Sequence, residues 1–495
     1  MSETLMFAFM TLLVAAGGLA IILSNRLTEW LRVPVPVLTL VAAAIAVTVI
    51  PGLHPPSEQA VESSVTVALV CILFSGGMHI GRKRFRAAAT PIVLVGVLGT
   101  FLTAIGGAAL LHWFFGLNWY LSLLVATAVA PTDPAVVFSV LGKREVAGRS
   151  GTILEGESGA NDPVGIALMG ALLAAGGLSQ AGFTKVGLEF TLQMVLGGAV
   201  GIAGGIGLLW FMRRVPLPSE SLYPLRVLAV VFILYGGATL IHGSGFLAVF
   251  LAGVVVGDAR APYKIETERF HAVVASLAEI FAFAVLGLTI DVSEIVQTDV
   301  WVPGLVLGVA LAFVIRPLLV GLCLIPARLQ RNERLFVLFA GLKGAVPLLL
   351  GEFLRKADVP DAERLYAIVV VVVIFSVVVQ GSSTVTVARY LHLPIRTAEP
   401  EPWSLGVRLR DEPEGVHRFT VQPGSPADGR ALRQLDELGE DAWLSFLVRD
   451  SRLVRVTGAT ELRGGDELLI LAEPERIDSL AQVFSRSDSD DGGSS

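Results

Sequence analysis

The chain has 495 residues, a mean hydropathy of +0.71 and only 16% charged residues, whereas a soluble domain normally carries about 25% charge. This composition excludes a wholly soluble protein, and the lack of a basic stretch with interleaved aromatic residues gives no support to nucleic-acid binding. The net charge of −6 averages two unlike parts, because residues 1–393 are mostly apolar runs and the remainder is rich in Arg, Asp and Glu.

Residues 1–393 are predicted to cross the lipid bilayer about thirteen times. A span needs roughly 20 apolar residues, and fewer where neighbouring helices shelter it. The candidate spans are 5–24, 33–50, 61–80, 91–115, 119–141, 152–176, 187–212, 226–241, 245–258, 271–290, 300–326, 334–353 and 363–391. The predicted fold class is therefore an all-α polytopic membrane protein, with a small cytosolic α/β domain after it.

Basic residues between the spans predict the orientation of the chain. Most Lys and Arg residues follow odd-numbered spans, as in the stretch 82–86 after the third span and the stretch 143–149 after the fifth. Retained positive charge marks the cytoplasmic side. The sequence therefore predicts a plasma-membrane protein with its N-terminus outside and its C-terminal domain in the cytoplasm.

Two spans are interrupted near their middles. Span five contains 130–134, Ala-Pro-Thr-Asp-Pro, and span twelve contains 341–347, Gly-Leu-Lys-Gly-Ala-Val-Pro. Proline removes a backbone donor and breaks a helix, and freed backbone at membrane depth must line a protein cavity. The interruptions lie seven spans apart, as expected for two inverted six-span repeats around a central span. Such paired breaks mark the binding site of a transporter.

The start of span six adds oxygen-bearing side chains close to the first break. Ser158 and Asp162 are four residues apart and share one helix face. Together with Thr132 they offer oxygen ligands, which hard cations prefer. The sequence therefore predicts an alkali-cation site at Asp162, Ser158 and Thr132.

Four polar positions each have two interpretations. Asp133 either caps a half-helix or takes part in the site, and Asn161-Asp162-Pro163 either begins a helix or binds an ion. Arg316, deep in span eleven, either has an acidic partner or extends to the cytoplasmic edge. Glu279, in span ten, is either an acid of the transport path or a satisfied partner between helices.

The motifs resemble those of the monovalent cation–proton antiporters, and more narrowly the bacterial NhaP-type branch, which has Asn-Asp where another branch has Asp-Asp. The resemblance covers nearly all of residues 5–391. The matching segments are 130–134, 157–163, 243–248, 315–317, 341–346 and 380–381.

The resemblance implies thirteen spans divided into a dimerisation domain and a mobile core, and a homodimer. It implies that Asp162 alternately holds H⁺ or a cation, with Thr132 and Ser158 as further ligands. Asp133 and Asn161 would support the crossing of the broken helices. Glu157 would form a structural ion pair with Arg316 or, as second choice, Lys343.

Two positions depart from the family pattern. Relatives usually have Arg where this chain has Lys343, and Lys is a point charge without the bidentate fork of Arg. Many relatives also carry an acid where this chain has Ser75. One candidate carboxylate is thus lost, which leaves K⁺ and Na⁺ both open as the transported cation.

The remainder of the chain is predicted to be a linker at 394–402, a regulatory domain at 403–484 and a disordered tail at 485–495. The segments 419–435 and 462–470 resemble a TrkA-C domain, and their pattern predicts short strands plus two helices. Such domains commonly dimerise and can sense nucleotides, so a nucleotide is a possible ligand. No cofactor is predicted for the membrane part.

The sequence therefore predicts a secondary transporter rather than an enzyme, one that exchanges K⁺ or Na⁺ for H⁺, electroneutrally, through Asp162. Two other classes of protein stay open. A regulated ion channel would use the broken helices as a filter, and a nucleotide-sensing receptor would have a degenerate site.

Overall fold

The computed structural model of the protein describes residues 35–50, 53–133, 144–146, 149–290, 292, 295, 299–357, 359–393, 395–397, 416–435, 442–449, 452–473 and 477–485. They fall into two compact units, Met1–Pro402 and Trp403–Ser495. The predicted first span, the part of span five after Asp133, and the predicted tail apart from Ser485 lie outside the described residues.

The described part of the first unit is almost entirely helical. Its helices are α1 Val35–Val49, α2 Glu58–Ala87, α3 Ala89–Phe115, α4 Trp119–Ala128, α5 Arg149–Ala175, α6 Gln180–Arg214, α7 Leu222–Leu240, α8 Gly245–Gly257, α9 Lys264–Gly287, α10 Trp301–Cys323, α11 Arg331–Phe339, α12 Ala345–Lys356 and α13 Ala362–Tyr390.

Polar caps explain where several of these helices begin. The side chains of Ser57, Asn118, Ser179 and Ser244 each accept a hydrogen bond from the backbone N–H three residues later, which satisfies one of the free donors of a helix start. At the opposite end, Gly116 adopts a left-handed conformation with φ 69° and terminates α3.

Seven helices in the described residues are long and apolar enough to cross a membrane, namely α2, α3, α6, α7, α9, α10 and α13. Three shorter apolar helices, α1, α4 and α8, add partial spans. The prediction of a polytopic α-helical membrane protein is confirmed. The exact number of thirteen spans stays a prediction, because the first span lies outside the described residues.

The helices pack into two groups. In the scaffold bundle, α1, α2 and α6–α9 contact one another, and in the core bundle α3–α5 and α10–α13 do so. The boundary between the bundles includes the contacts of α2, α6 and α8 with α5, and those of α2 and α9 with α12.

Three core helices contain a π-helical turn, at Leu94–Leu98 in α3, Leu311–Val320 in α10 and Ser376–Gly381 in α13. The turn in α10 contains Pro317, which cannot donate a backbone hydrogen bond. π-helical turns frequently occur at functional sites, and the turn in α10 packs against α11.

A small ribbon occupies part of the predicted linker. Ile395–Thr397 (β2) pairs antiparallel with Arg144–Val146 (β1), so that Glu145 lies opposite Arg396. Residues 395–397 were predicted only as part of the linker at 394–402. A strand this short carries no detectable alternation of apolar and polar residues, and only its partner 250 positions earlier in the chain stabilises it.

The second unit is a four-stranded antiparallel sheet with one helix against it. The strands are β3 Val416–Thr420, β4 Ala442–Arg449, β5 Arg452–Val454 and β6 Glu467–Ala472, in the order β3–β6–β4–β5, and the helix is α14 Ile477–Phe484. Leu468 lies opposite Phe419 on one side and Leu447 on the other. Its core includes Leu447, Leu468 and Phe484. The predicted small α/β domain is confirmed.

The prediction of two helices in this unit is wrong for the described residues, which contain only α14 and a single 3₁₀ turn at Leu432–Gln434. The backbone N–H of Leu432 donates to Thr460 O at 3.0 Å, and that of Arg433 donates to Gly458 O at 2.9 Å. These cross-loop bonds use the donors that a longer helix would need.

Candidate functional site where the broken helices cross

The first break follows α4. The helix ends at Ala128, and the backbone from Ala130 to Asp133 is not helical. Pro131 has no N–H to donate, and the N–H of Asp133 instead donates to the carbonyl of Leu342 in the second broken span, at 2.8 Å. A backbone hydrogen bond therefore links the first break to the second.

The second break separates α11 from α12. Residues 340–344 are not helical, and the N–H of Lys343 donates to Ser376 Oγ at 2.9 Å. A Cβ on Gly344, the N-cap of α12, would collide with the Asp133 carboxylate. Only glycine allows this close approach, which places an acid at the positive end of a helix dipole.

A cation lies at the C-terminal end of each of the two half-helices α4 and α11. Lys343 Nζ donates to the carbonyls of Ala130 at 3.0 Å and Pro131 at 3.1 Å. Arg316 Nε donates to the carbonyl of Leu338 at 2.9 Å. Positive charge at these positions satisfies free carbonyls and offsets the negative end of each helix dipole.

The predicted ion-binding residues lie on α5, beside the crossing. Asn161, Asp162 and Pro163 are in the interior of this helix, so the alternative that they begin a helix is wrong. Ser158 and Asp162 are both buried, and the Ser158 hydroxyl is within hydrogen-bonding range of the Asp162 carboxylate. The carboxylate also interacts electrostatically with Asp133 and Lys343.

Thr132 connects the first break to α5. Its hydroxyl accepts a hydrogen bond from Asn161 Nδ2 at 2.7 Å and lies 3.5 Å from Glu157 Oε1. Asn161 Oδ1 is buried with no hydrogen-bond partner among the described residues. The structure thus brings Thr132 together with Asn161 and Glu157.

Glu157 forms a buried ion pair with Arg316. The distance from Arg316 Nη2 to Glu157 Oε1 is 2.6 Å, and the two side chains are 5% and 1% exposed. Arg316 therefore does not extend to the membrane edge. Lys343, the second choice as partner of Glu157, makes its hydrogen bonds to the carbonyls of the first break instead.

Two residues support the second break: Ser376, for which no role was predicted, and Gln380, which lies in the matching segment 380–381 but had no predicted role. Ser376 Oγ accepts from the Lys343 N–H and donates to Gln380 Oε1 at 3.1 Å, and Gln380 Nε2 donates to the carbonyl of Phe339. These polar residues lie four apart in a run of Val and Ile, and that spacing is the signal that could have identified them.

Family comparisons agree with this architecture. Residues 12–390 match the family described as sodium/hydrogen exchanger, transmembrane, and residues 416–485 match the TrkA-C domain. The K⁺/H⁺ antiporter NhaP of Alkalimonas amylolytica is 33% identical over 423 residues, which are 85% of this chain and 73% of that protein.

Two further relatives extend the comparison. The K⁺/H⁺ antiporter NhaP2 of Shewanella oneidensis is 32% identical over 432 residues, which are 85% of this chain and 73% of that protein. The structure of the sodium–proton antiporter MjNhaP1 of Methanocaldococcus jannaschii superposes with a TM-score of 0.63 at 21% identity, covering 77% of this chain and 99% of that one. At 21% identity the match to MjNhaP1 establishes the fold alone.

Proposed function

The chain belongs to the sodium/hydrogen exchanger family of membrane antiporters and carries a TrkA-C domain, and from this we propose that it exchanges K⁺ for H⁺, one for one, through Asp162. Na⁺ is the alternative cation. The regulatory role that we assign to the C-terminal domain is part of the same proposal.

One observation carries the proposal. Among the buried charges at the crossing, Glu157 is neutralised by Arg316 at 2.6 Å, while Lys343 caps the first break and interacts electrostatically with Asp162. Asp133 lies against the N-terminus of α12. Asp162 has the Ser158 hydroxyl beside it and is the carboxylate available for an exchangeable cargo.

A bare carboxylate in the bilayer interior is costly. Idealised transfer of such an ion from water to a low-dielectric medium costs of order 20 kcal/mol, and several kcal/mol remain after relaxation. Asp162 should therefore hold either H⁺ or an alkali cation whenever the core moves. This requirement couples the two fluxes, because the unloaded site does not cross.

The same charges predict the stoichiometry. Three acids at the crossing, Asp133, Glu157 and Asp162, face two cations, Arg316 and Lys343. The excess of one negative charge is neutralised by one H⁺ or by one monovalent cation. Both loaded forms of the core then carry the same charge, so the exchange is electroneutral.

The choice of K⁺ rests on the relatives. The Alkalimonas and Shewanella proteins are K⁺/H⁺ antiporters, and each matches 85% of this chain. The structure of the Methanocaldococcus sodium–proton antiporter matches this chain at 21% sequence identity. Hydroxyl and carboxylate oxygens serve both ions, so flux must discriminate between them.

Proton flux in proteoliposomes tests the proposal. Purified protein is reconstituted with an internal pH dye, and K⁺, Na⁺, Rb⁺ and Li⁺ are added in turn with the membrane potential held at zero. We expect K⁺ to drive the fastest proton efflux, and the rate to be unchanged when a lipophilic ion imposes a potential. Cation flux without opposing H⁺ flux would indicate a channel, and no flux of either ion would indicate a receptor.

We also propose that the cytoplasmic face is the one carrying Arg82, Lys83, Arg84 and Arg86 at the end of α2, because retained positive charge marks that side. The C-terminal domain would then be cytoplasmic. A homodimer is proposed for the intact protein. Accessibility of a single introduced cysteine at position 485 to a membrane-impermeant reagent in right-side-out vesicles checks the orientation.

Removal of residues 403–495 is expected to leave cation–proton exchange within about twofold of the full chain and to abolish any response to added nucleotide. The C-terminal unit has its own hydrophobic core around Leu468, so its removal should leave the membrane unit folded. The cut preserves β2, whose loss would unpair β1 in the first unit. Exchange and nucleotide response are measured in the same liposomes. Complete loss of exchange in a correctly inserted truncation would contradict the modular organisation.

A further inference from the structure

Glu279 is an intramembrane acid that the proposed exchange does not use. It lies on the buried side of α9, in the scaffold bundle, and its Oε1 is buried with no hydrogen-bond partner among the described residues. A carboxylate at membrane depth is expensive and usually marks an ion path or a paired site. The second interpretation from the sequence, a satisfied partner between helices, is not supported by the described contacts.

The location of Glu279 relates it to the crossing. Helix α9 packs against α12 across the boundary between the bundles, and the N-cap of α12, Gly344, lies against the Asp133 carboxylate. Glu279 interacts electrostatically with Asp133, which in turn interacts with Asp162. Asp162, Asp133 and Glu279 thus form a row of acids that runs from the ion site in the core bundle to α9 of the scaffold bundle.

The two cations at the C-terminal end of α12 are occupied by other acids. On α12, Arg355 pairs with Glu352 at 3.1 Å and with Glu363 at 2.9 Å, and Lys356 pairs with Glu62 of α2. No salt bridge between Glu279 and these two cations is formed. The cations of α12 therefore do not supply a positive charge that would compensate an ionised Glu279.

We propose that Glu279 is a further cation-binding residue, which attracts the transported alkali ion from the scaffold side of the path while the ion moves to or from Asp162. This inference rests on the proposed exchange. It adds a residue of the scaffold bundle to the path that the cation follows. The ligand class is a partly hydrated monovalent cation. Asp162, on the moving bundle, remains the residue that carries the cargo across.

The proposal predicts a change in affinity rather than in turnover. A unit charge beside the path attracts the cation electrostatically, and a fivefold to tenfold gain in affinity from it corresponds to about 1 to 1.4 kcal/mol; most of that acts before the core shifts. Glu279→Gln should raise the KM for K⁺ about fivefold to tenfold and change Vmax by less than about twofold. Glu279→Asp, which keeps the charge on a shorter side chain, should restore most of the affinity.

The experiment compares K⁺-dependent proton flux of the full-length wild type, Glu279→Gln, Glu279→Asp and Glu266→Gln in proteoliposomes at one fixed pH. Glu266 is exposed in the first turn of the same helix, so its variant makes the same charge change away from the path. Its KM is expected to equal that of the wild type.

An unchanged KM in Glu279→Gln overturns the inference, and a fall in Vmax with that unchanged KM would indicate a structural role instead. If Glu279→Gln does not insert, Glu279→Ala decides, with a rise in KM of about fivefold or more expected and an unchanged KM contradicting the proposal. A wild type without exchange would defeat the proposed function itself, whereas normal exchange in both wild type and Glu279→Gln would defeat only the role of Glu279.

Discussion

Asp162→Asn is expected to reduce exchange to the background of empty liposomes while the protein still inserts and remains monodisperse. Asparagine fills nearly the same volume but holds neither a proton nor a compensating cation, so the moving core has no exchangeable charge. Binding supplies a second measurement. A ligand at 100 times its Kd stabilises a protein by about 2.7 kcal/mol, and this stabilisation by K⁺ should disappear in the variant.

Asp299→Asn is the matched control, because Asp299 is exposed and its substitution makes the same chemical change outside the site. It is expected to exchange normally and to retain thermal stabilisation by K⁺. Full exchange by Asp162→Asn would remove Asp162 from the mechanism and would direct attention to the neighbouring acids of the crossing.

Breaking the buried pair between Glu157 and Arg316 should produce the largest loss of stability. Either Glu157→Gln or Arg316→Met leaves an uncompensated charge in the interior, and such losses are typically about 3–5 kcal/mol. The double variant removes both charges and should recover much of that loss. Its recovery should be incomplete, because Arg316 also donates to the carbonyl of Leu338 at 2.9 Å.

Thermal unfolding of the two single variants and the double variant in detergent gives the coupling between the residues as a double-mutant cycle. The ion pair of Arg84 with Glu155, at 3.3 Å and with the arginine side chain 45% exposed, serves as the reference. Exposed pairs contribute about 0–1 kcal/mol, so Arg84→Met should shift unfolding little. Equal effects at the two pairs would show that the buried one is not a structural element.

Much of the membrane fold could be predicted because each physical requirement leaves a local mark in the sequence. Long apolar runs identify spans, and the prolines and glycines at 130–134 and 341–347 identify the breaks. Boundaries were less accurate: α5 begins at Arg149 and α7 at Leu222, several residues before the predicted starts, since polar residues at the membrane surface can continue a helix.

Contacts made across long sequence separations could not be predicted in the same way. No pattern in the chain indicates that the Lys343 ammonium lies 3.0 Å from the carbonyl of Ala130, or that Ser376 receives the Lys343 N–H. The family resemblance offered Arg316 and Lys343 as alternatives for one role. The structure gives each cation its own half-helix, a distinction that depends on the three-dimensional crossing.

The two cations at the half-helix ends also have a consequence for the energetics of transport. Arg316, Lys343 and the carbonyls that they contact all belong to the core bundle. On the proposed mechanism, a core bundle that moves through the bilayer would therefore bring its own counter-charges and would not exchange them for partners on the scaffold bundle. The free-energy cost of desolvating these groups would then arise once, when the protein folds, and not with each turnover.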